Sequence, residues 1–248
     1  MKNTSPRDLK RRLFFSFFVG AIFFALIIVV VIKINHGPQD AEAPVFLRKV
    51  LLFNEGVSRK LVGVKANSVN MPVPSQKISP RVNGDIGLGG DFSPSDYEVE
   101  IRSGARTLNI KMGELTKLPT TRVSTLFKCV EGWSEPVQYA GVKFSDFLET
   151  YKIGKKPNGQ YFKYVGLETP DEEYYVSIDI ESMLHPQTVL AYEMNYQPLS
   201  LSNGFPLRLV IPIKYGIKNL KRVGLIFFSD ERPPDYWAER GYDWYAGL

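Results

Sequence analysis

The hydrophobic pattern of the chain changes near position 33. Residues 13–32 read LFFSFFVGAIFFALIIVVVI, a run of twenty residues without a charge. A helix of about twenty apolar residues crosses the roughly 30 Å hydrocarbon core of a bilayer, whereas the apolar core of a cleaved export signal usually has about 7–15 residues. Ala41-Glu42-Ala43 resembles a cleavage site, but Pro44 follows it directly. The pattern therefore predicts a retained transmembrane helix at 13–32.

The residues before this helix predict its orientation. Residues 1–12 carry five basic side chains and one acidic side chain, Asp8. Basic segments beside a membrane helix stay in the cytoplasm. We expect a cytoplasmic basic N-terminus at 1–12 and a single-pass protein of a bacterial inner membrane with its main domain on the periplasmic side. KRRLFF, at 10–15, also resembles a twin-arginine export signal, although any inner-membrane anchor carries arginines.

The charge distribution argues against a nucleic-acid partner. The formal net charge is +5, but six basic residues and one acidic residue lie in 1–33, which leaves 25 basic and 25 acidic residues in the rest. A nucleic-acid-binding domain needs a local excess of basic side chains. The neutral body of the chain therefore predicts no nucleic-acid partner.

Residues 33–80 are predicted to form a linker that contains an amphipathic helix. FLRKVLLFNEGVSRKLV, at 46–62, has apolar residues at helical spacing. A helix packed on the following domain is the preferred interpretation, and a helix on a membrane surface or against a partner is the alternative. Residues 63–80 contain three prolines and are expected to form a loop.

Short strand patterns alternate with turns from residue 81 onward. The stretch 81–96 is rich in glycine and turn-like, and it lacks the preceding strand that a dinucleotide fingerprint requires. Residues 142–153 have the apolar spacing of a helix. This layout predicts an α+β fold dominated by mixed β-sheet. Strands are predicted within 97–104, 105–115, 124–130, 161–168, 173–180, 180–195, 205–213 and 224–230.

Cys129 is the single cysteine of the chain, and it lies in FKCVEGWSEP at 127–136. One cysteine excludes an internal disulfide framework, and one cysteine with two histidines disfavours a Cys/His zinc site. A lone cysteine is most often an inert buried residue, while thiolate chemistry needs a nearby cation or metal. A nucleophilic pair with His185, as in a thiol hydrolase, is a third alternative. The residues around Cys129 leave these alternatives open.

A second unusual stretch is SNGFPLRLVIPIKYGIKNLKRV, at 202–223. Arg208 interrupts an apolar strand pattern, and a charged residue in such a place is paired or bound to something. The following loop is crowded with cations, and a loop of cations and backbone N–H groups suits a phosphate. A solvated basic loop is the simpler alternative. The cations concerned are Lys214, Lys218, Lys221 and Arg222.

Four separated motifs together resemble one family. They are KCVEGWS, LHPQTVLAYEMN, NGFPLRLVIPIKYGIKNLKRV and DERPPDYW, in this order. Their combination is similar to the molybdopterin-binding oxidoreductases, which include sulfite oxidases and the catalytic subunit of the periplasmic methionine-sulfoxide reductase. The resemblance covers roughly residues 81–240 and implies that 81–248 forms a sulfite oxidase-like molybdopterin-binding domain, preceded by the one transmembrane helix.

The resemblance also implies a molybdenum–molybdopterin cofactor. Cys129 would be the catalytic residue and the one protein thiolate on the metal, and soft thiolates suit such metals. Arg208 and Lys221 would hold the terminal phosphate. Around Asn83, PRVNGDIGL lacks the aromatic residues that the reductase has beside its asparagine. The full set of implied cofactor-binding residues is Asn83, Cys129, Thr169, Asn203, Arg208, Asn219, Leu220 and Lys221.

CVEGWS is more similar to the reductase branch of the family than to the sulfite oxidases. We therefore expect an anchored enzyme that transfers an oxygen atom, most simply by reducing a sulfoxide-type substrate. Glu131 and Trp133, just past the cysteine, either line the site or pack. The alternatives are oxidation of sulfite, or a metal-free anchored module with the same fold. The expected partners are a membrane haem or quinone-linked electron-transfer protein and a small oxygen donor or acceptor.

Overall fold

The chain folds into the elements that its hydrophobic pattern predicts, with a few additions. The structure is a computed structural model that describes residues 6–40, 42–61, 81–89 and 93–247. The predicted loop at 63–80 lies outside these residues. The chain divides into two compact units, Met1–Asn54 and Glu55–Leu248, and each is described by itself.

The described ranges contain twelve strands and six α-helices. The helices are α1 Pro6–His36, α2 Val45–Leu61, α3 Met112–Leu115, α4 Phe144–Tyr151, α5 Ile180–Met183 and α6 Tyr236–Glu239. The strands are β1 Gln39–Asp40, β2 Ala43–Pro44, β3 Glu98–Ser103, β4 Arg106–Lys111, β5 Thr120–Lys128, β6 Ser134–Lys143, β7 Tyr164–Glu168, β8 Tyr175–Asp179, β9 Val189–Met194, β10 Gln197–Pro198, β11 Arg208–Val210 and β12 Leu225–Ser229.

The first unit consists mainly of α1. This helix runs beyond the predicted 13–32 at both ends, so residues 6–12 are helical too. None of its residues is buried within the chain, and its length and composition are those of a membrane-spanning helix. The short β1–β2 hairpin follows it, and Arg48 in α2 pairs with Asp40 at 2.9 Å. That α1 crosses a membrane stays a prediction.

Two five-stranded sheets form the second unit within the described residues. In one, antiparallel strands follow the order β10-β9-β6-β5, and β11 pairs with β9 off that path. In the other, with the order β4-β3-β12-β7-β8, β12 runs parallel to β3 and antiparallel to β7. The predicted α+β class with mixed sheet is confirmed.

Helix α4 confirms the helical spacing predicted at 142–153, with shorter bounds. Phe144, Phe147 and Leu148 recur at the i, i+3, i+4 spacing that places side chains on one helix face, and all three are buried in the main apolar core. Val142 belongs instead to β6, where it pairs with Leu190 of β9. The helix ends at Lys152, which adopts a left-handed conformation with φ of 52°.

Strand β6 is the longest element that the hydrophobic pattern missed among the described residues. Its sequence, SEPVQYAGVK, contains a proline, a glycine and several polar residues, which weaken a strand pattern. Tertiary pairing outweighs this local preference, because β6 lies between β5 and β9. Its register shifts between Ala140 and Gly141, and a Cβ on Gly141 would stand 2.0 Å from the Leu190 carbonyl oxygen.

This close approach predicts that Gly141→Ala destabilises the fold. The clash is with main-chain atoms of β9, which cannot rotate away, and overpacking of this kind costs about 1–3 kcal/mol or more. Thermal unfolding of the detergent-solubilised chain should show a lower midpoint. Gly113→Ala is the matched control, because a Cβ there would meet nothing within 4 Å. Equal midpoints for the two variants would contradict the close approach.

Candidate functional site

A cavity of about 350 Å³ lies between the β5–β6 turn, residues 81–86 and the loop after β11. Its volume falls within the roughly 300–1,000 Å³ that is usual for small-molecule and cofactor sites. Aromatic, apolar and charged side chains all contribute to its wall. Its lining includes Arg81, Asn83, Asp85, Phe127, Cys129, Glu131, Trp133, Glu135, Tyr139, Tyr174, Asn203, Arg208, Gly216, Asn219, Lys221, Trp237 and Tyr242.

Cys129 lines this cavity from the tight turn that joins β5 to β6. Its backbone N–H donates to the Trp133 carbonyl at 3.0 Å, and Gly132 donates to the Cys129 carbonyl at 3.1 Å. Gly132 has a φ of +89°, which glycine adopts without strain. Cys129 is 7% exposed but belongs to neither apolar cluster of the described residues. Its thiol therefore lies at a cavity wall and not within the core.

Asn83 is the polar side chain that approaches the thiol. Its Nδ2 lies 3.6 Å from the Cys129 Sγ, in donating geometry. The backbone around Asn83 is also held by hydrogen bonds. The Lys221 Nζ donates to the carbonyls of Asn83 and Gly84 at 2.9 and 2.8 Å. Arg222 donates to the Leu88 carbonyl at 2.8 Å. Two consecutive basic residues therefore fasten the glycine-rich segment to the cavity wall.

Arg208 is buried in the apolar strand β11, with 3% of its surface exposed. Its two terminal nitrogens donate to the carbonyls of Asn203 and Asn219 at 3.2 and 3.4 Å. Its Nε is buried and finds no partner among the described residues. An unpaired buried donor costs about 1–3 kcal/mol or more when charged. Arg208 also lines the cavity, where its positive charge is available to an anion.

Lys221 gives the cavity a second cation close to the first. Burial, and then the charge of Arg208, lower the pKa of Lys221 to about 8, while Asp85 opposes the shift. The ammonium is therefore still largely charged at pH 7. Two neighbouring cations that are partly removed from water destabilise each other, and an anion between them would relieve this repulsion. The pair has the chemistry of a phosphate site.

Asn203 and Asn219 lie in the cavity wall as predicted, and both shape its backbone. Asn203 ends a short 3₁₀ helix, and a Cβ on the following Gly204 would stand 2.9 Å from the Lys221 Cα. The Asn219 amide accepts from the Ile211 N–H at 2.8 Å and donates to the Tyr215 carbonyl at 3.1 Å. Close packing of the two loops therefore brings their polar groups to one side of the cavity.

Thr169 and Leu220 are not brought to the cavity. The Thr169 hydroxyl donates to Asp171 at 2.6 Å and accepts from the Tyr174 N–H at 3.1 Å. It thereby holds the turn that carries Tyr174, whose ring lines the cavity and whose hydroxyl donates to the Ile217 carbonyl at 2.6 Å. The Leu220 side chain is fully buried in the main core. Neither side chain lines the cavity. The other six predicted residues do line it: Asn83, Cys129, Asn203, Arg208, Asn219 and Lys221.

The prediction of one basic loop around a phosphate needs correcting at Lys214 and Lys218. Lys214 is buried and pairs with Asp179 at 3.4 Å, and burial lowers its pKa to about 7. Lys218 is buried against Asp235 and donates to the Ser177 carbonyl at 3.2 Å. Both lysines serve as internal ion-pair partners, so Lys221 is the cation of this loop that lines the cavity.

Glu131 and Trp133 line the cavity rather than pack away from it. The Trp133 Nε1 donates to Glu131 at 3.0 Å, and the Arg81 guanidinium stacks 5.1 Å above the Trp133 ring. A hydrogen bond from Asn83, then the one from Trp133 and the charge of Arg81, lower the pKa of Glu131. The backbone N–H of Arg81 donates to Glu135 at 2.9 Å. This charged and aromatic group forms the rim next to Cys129.

Several aromatic residues of the cavity wall were not predicted from the sequence. Tyr174 follows the 169–171 turn, and Trp237 and Tyr242 come from the C-terminal segment. Trp237 belongs to DERPPDYW, so the resemblance carried a signal for that segment although no role was inferred from it. Tyr139 lies in the missed strand β6, and together with Phe127 it flanks the Arg208 guanidinium at 5.3 and 5.8 Å.

His185 takes no part in this site. It does not line the cavity, and no hydrogen bond joins it to Cys129 in the described part of the chain. Its Nδ1 accepts from the Gln187 N–H at 3.2 Å, and burial lowers its pKa. The thiol-hydrolase alternative required a hydrogen-bonded Cys129–His185 pair, and the structure gives it no support.

Comparison with known proteins identifies the class as a molybdopterin-binding oxidoreductase. The model of the oxidoreductase molybdopterin binding domain matches residues 88–237. The chain belongs to this family, whose domain binds the molybdopterin cofactor. A solved structure, the sulfane dehydrogenase SoxCD from Paracoccus pantotrophus, has the same fold, with a TM-score of 0.51 and 22% identity over 57% of this chain and 40% of that chain.

Curated relatives agree with this class. The chain is 39% identical over 136 residues to a putative protein-methionine-sulfoxide reductase subunit, YedZ1, of Azospira oryzae, covering 55% of this chain and 50% of that protein. It is 28% identical to the methionine-sulfoxide reductase catalytic subunit MsrP of Campylobacter jejuni over 66% of this chain and 60% of the relative. It is 27% identical to a mitochondrial sulfite oxidase of Drosophila melanogaster over 61% and 30%. The chain thus spans about half the length of the curated relatives it matches.

The contact of Lys221 with the glycine-rich segment gives a prediction that does not depend on activity. Lys221→Met should speed amide hydrogen exchange in residues 81–89 by about tenfold or more, because charge-assisted hydrogen bonds contribute about 1.5–3 kcal/mol. Exchange followed by mass spectrometry measures it. Lys117→Met, at an exposed lysine, is the control. Unchanged exchange in both variants would show that Lys221 does not hold the segment.

Proposed function

We propose that this chain is a membrane-anchored, extracytoplasmic molybdenum–pterin oxidoreductase that reduces a sulfoxide-type substrate by oxygen-atom transfer. One observation carries the proposal. The Cys129 thiol lines the same cavity as Lys221 and the buried Arg208, whose Nε has no partner in the described residues. A soft metal ligand and a cationic clamp in one cavity fit a metal-bound pterin that carries a phosphate.

The residues of the cavity fit the cofactor in chemical type. Cys129 would supply the thiolate to molybdenum, and soft thiolates suit such metals. Arg208 and Lys221 would hold the phosphate through their positive charges. Asn83, Asn203 and Asn219 would supply polar contacts to the pterin. Thr169 stays proposed as a contact through the turn that it holds, and Leu220 as part of a loop that would contact the pterin through its backbone, since neither side chain lines the cavity.

The cofactor, when bound, supplies the two-electron redox change, and the chain supplies position and electrostatics. The reaction takes a sulfoxide, two electrons and two protons to a sulfide and water. Asn83 would donate a hydrogen bond to the Cys129 thiolate and so hold its orientation. The aromatic wall of Tyr174, Trp237 and Tyr242 would exclude water from the reacting atoms.

The rim of the cavity favours a neutral substrate over an anion. Glu131, Glu135 and Asp85 line it beside the cations, and the sulfite anion would be repelled by these carboxylates. A sulfoxide is dipolar and uncharged, so it escapes that repulsion. The two relatives named as methionine-sulfoxide reductase proteins support the same choice.

Oxidation of sulfite is the second candidate, for two reasons. The guanidinium of Arg81 lies at the rim on Trp133, where it offers a cation that the proposed phosphate clamp does not use. A sulfite oxidase is also among the relatives. A metal-free module has less support, because the chain belongs to a cofactor-binding family and keeps a thiol in the cavity.

The proposed arrangement in the membrane assigns 1–12 to the cytoplasm, 13–32 to the bilayer, 33–80 to the linker with helix α2, and 81–248 to the oxidoreductase domain. The exposed apolar surface of α1 supports a bilayer environment, and the basic residues before it support a bacterial inner membrane with the domain in the periplasm. The electrons would come from a membrane haem or quinone-linked protein.

The first test is the molybdenum content of the purified full chain. Wild type from a cofactor-competent host should carry close to one molybdenum per chain, with a spectroscopic thiolate–metal signature that Cys129→Ser loses. Elemental analysis and electron paramagnetic resonance measure both. Ser95→Ala, at an exposed serine outside the cavity, should behave as wild type. Wild type that folds without metal would end the enzyme proposal.

The same loaded protein separates the two candidate reactions. A sulfoxide should reoxidise a reduced dye in its presence, whereas sulfite should fail to reduce an oxidised dye. The opposite pattern would replace sulfoxide reduction by sulfite oxidation and leave the cofactor assignment standing.

Arg208→Met should weaken cofactor retention by at least tenfold, because a buried charge-assisted contact to phosphate is worth about 1.5–3 kcal/mol. Arg208→Lys keeps the charge but loses the guanidinium fork, so it should restore retention only in part. Molybdenum that remains after gel filtration is the readout. Arg122→Met is the control, since Arg122 pairs with Glu193 at 3.2 Å outside the cavity. Full retention by Arg208→Met would remove Arg208 from the proposed clamp.

A further inference from the structure

Helix α2 exposes its apolar stripe. Val50, Phe53 and Val57 follow the i, i+3, i+7 spacing that places side chains on one face of a helix. They are 39%, 71% and 39% exposed. A surface helix normally turns such a stripe towards the core, and a run of exposed apolar residues marks a surface that binds something.

The buried side of the last turns of α2 is polar instead. The Glu55 side chain is only 9% exposed and pairs with Arg59 at 3.3 Å and Arg232 at 3.8 Å. Arg59 also pairs with Asp179 at 3.5 Å and Glu181 at 3.0 Å. Within the second unit, ion pairs therefore hold the last turns of α2 by their polar side. The preferred interpretation from the sequence, a helix packed on the following domain, agrees with these ion pairs of its last turns.

Two lysines follow the edge of the stripe. Lys49 and Lys60 are eleven residues apart, which is close to three helical turns, so both lie along the same side of α2 next to Phe53. Both are exposed. Lysine side chains beside an apolar surface extend their methylenes along it and direct the ammonium to water or to an anionic headgroup. An apolar stripe with a lysine border is typical of a helix that lies in a membrane interface.

The chain also holds α2 close to the end of α1. Eight residues, 37–44, separate the two helices, and a fully extended segment of that length spans at most about 26–29 Å. Its reach is shorter still, because β1 and β2 fold back on each other with Gln39 opposite Pro44. Where α1 spans the bilayer, the start of α2 must therefore lie near the outer headgroups.

We propose that α2 lies on the periplasmic leaflet, with Val50, Phe53 and Val57 at the boundary between headgroups and acyl chains. Lys49 and Lys60 contact anionic headgroups. This inference rests on the proposed membrane anchor and goes beyond the proposed reaction.

The test places a fluorophore on each side of the helix in the full chain. Phe53→Trp and the control Ser58→Trp are reconstituted in phosphatidylethanolamine–phosphatidylglycerol vesicles with brominated acyl chains, which quench tryptophan at depth. Ser58 is exposed and lies about 100° around the helix from Val57. Wild type provides the signal of its three tryptophans. The tryptophan added at 53 should be quenched at least twice as strongly as the one at 58, and equal quenching would overturn the proposal.

A charge variant and an extraction step complete the design. Lys49→Glu with Lys60→Glu should lower the quenching at 53 in anionic vesicles but not in phosphatidylcholine, and no change in either would remove the lysines from the proposal.

Alkaline extraction of the membranes tests the anchor separately: a chain that washes off disproves the anchor, while a retained chain without quenching at 53 disproves only the lipid contact of α2. If Phe53→Glu dissociates an oligomer in detergent, the stripe is covered by a second copy and the lipid proposal is wrong.

Discussion

The site depends on the attachment of residues 81–89 to the loop after β11. Two consecutive side chains, Lys221 and Arg222, donate to four carbonyls of that segment, and this holds Asn83 beside the Cys129 thiol. The segment itself forms no helix or strand, so it has no ladder of its own to fix its position. Without these contacts the cavity would lose one wall and the thiol its hydrogen-bond donor.

Strand β11 and the loop after it carry a cost in stability that an anion in the cavity would lower. Arg208 is buried with an unpaired Nε, and the lowered pKa of Lys221 reports a cation that has lost water. Elsewhere in the second unit the buried cations Lys214 and Lys218 have carboxylate partners. A protein that pairs two buried lysines internally but leaves two cations facing a cavity has placed positive charge where an external anion can neutralise it.

The sequence could predict what depends on local chemistry. Cys129 stood out as the single cysteine of the chain, and Arg208 stood out because a cation in an apolar strand conflicts with its surroundings. Strand β6 was missed, since pairing with β5 and β9 overrides its weak local pattern. The partners of Lys214 and Lys218 were missed as well, because Asp179 and Asp235 are distant in sequence. Contacts of this kind exist only once the sheets have formed.

Helix α2 shows that an amphipathic pattern can predict a helix without deciding what surrounds each of its faces. Periodicity fixes which residues share a face, but it carries no information about which face meets the protein. That choice is made here by Glu55 and Arg59, whose ion pairs lie on the side opposite Phe53. Because polar side chains hold the last turns of the helix, its exposed apolar side remains available to a bilayer.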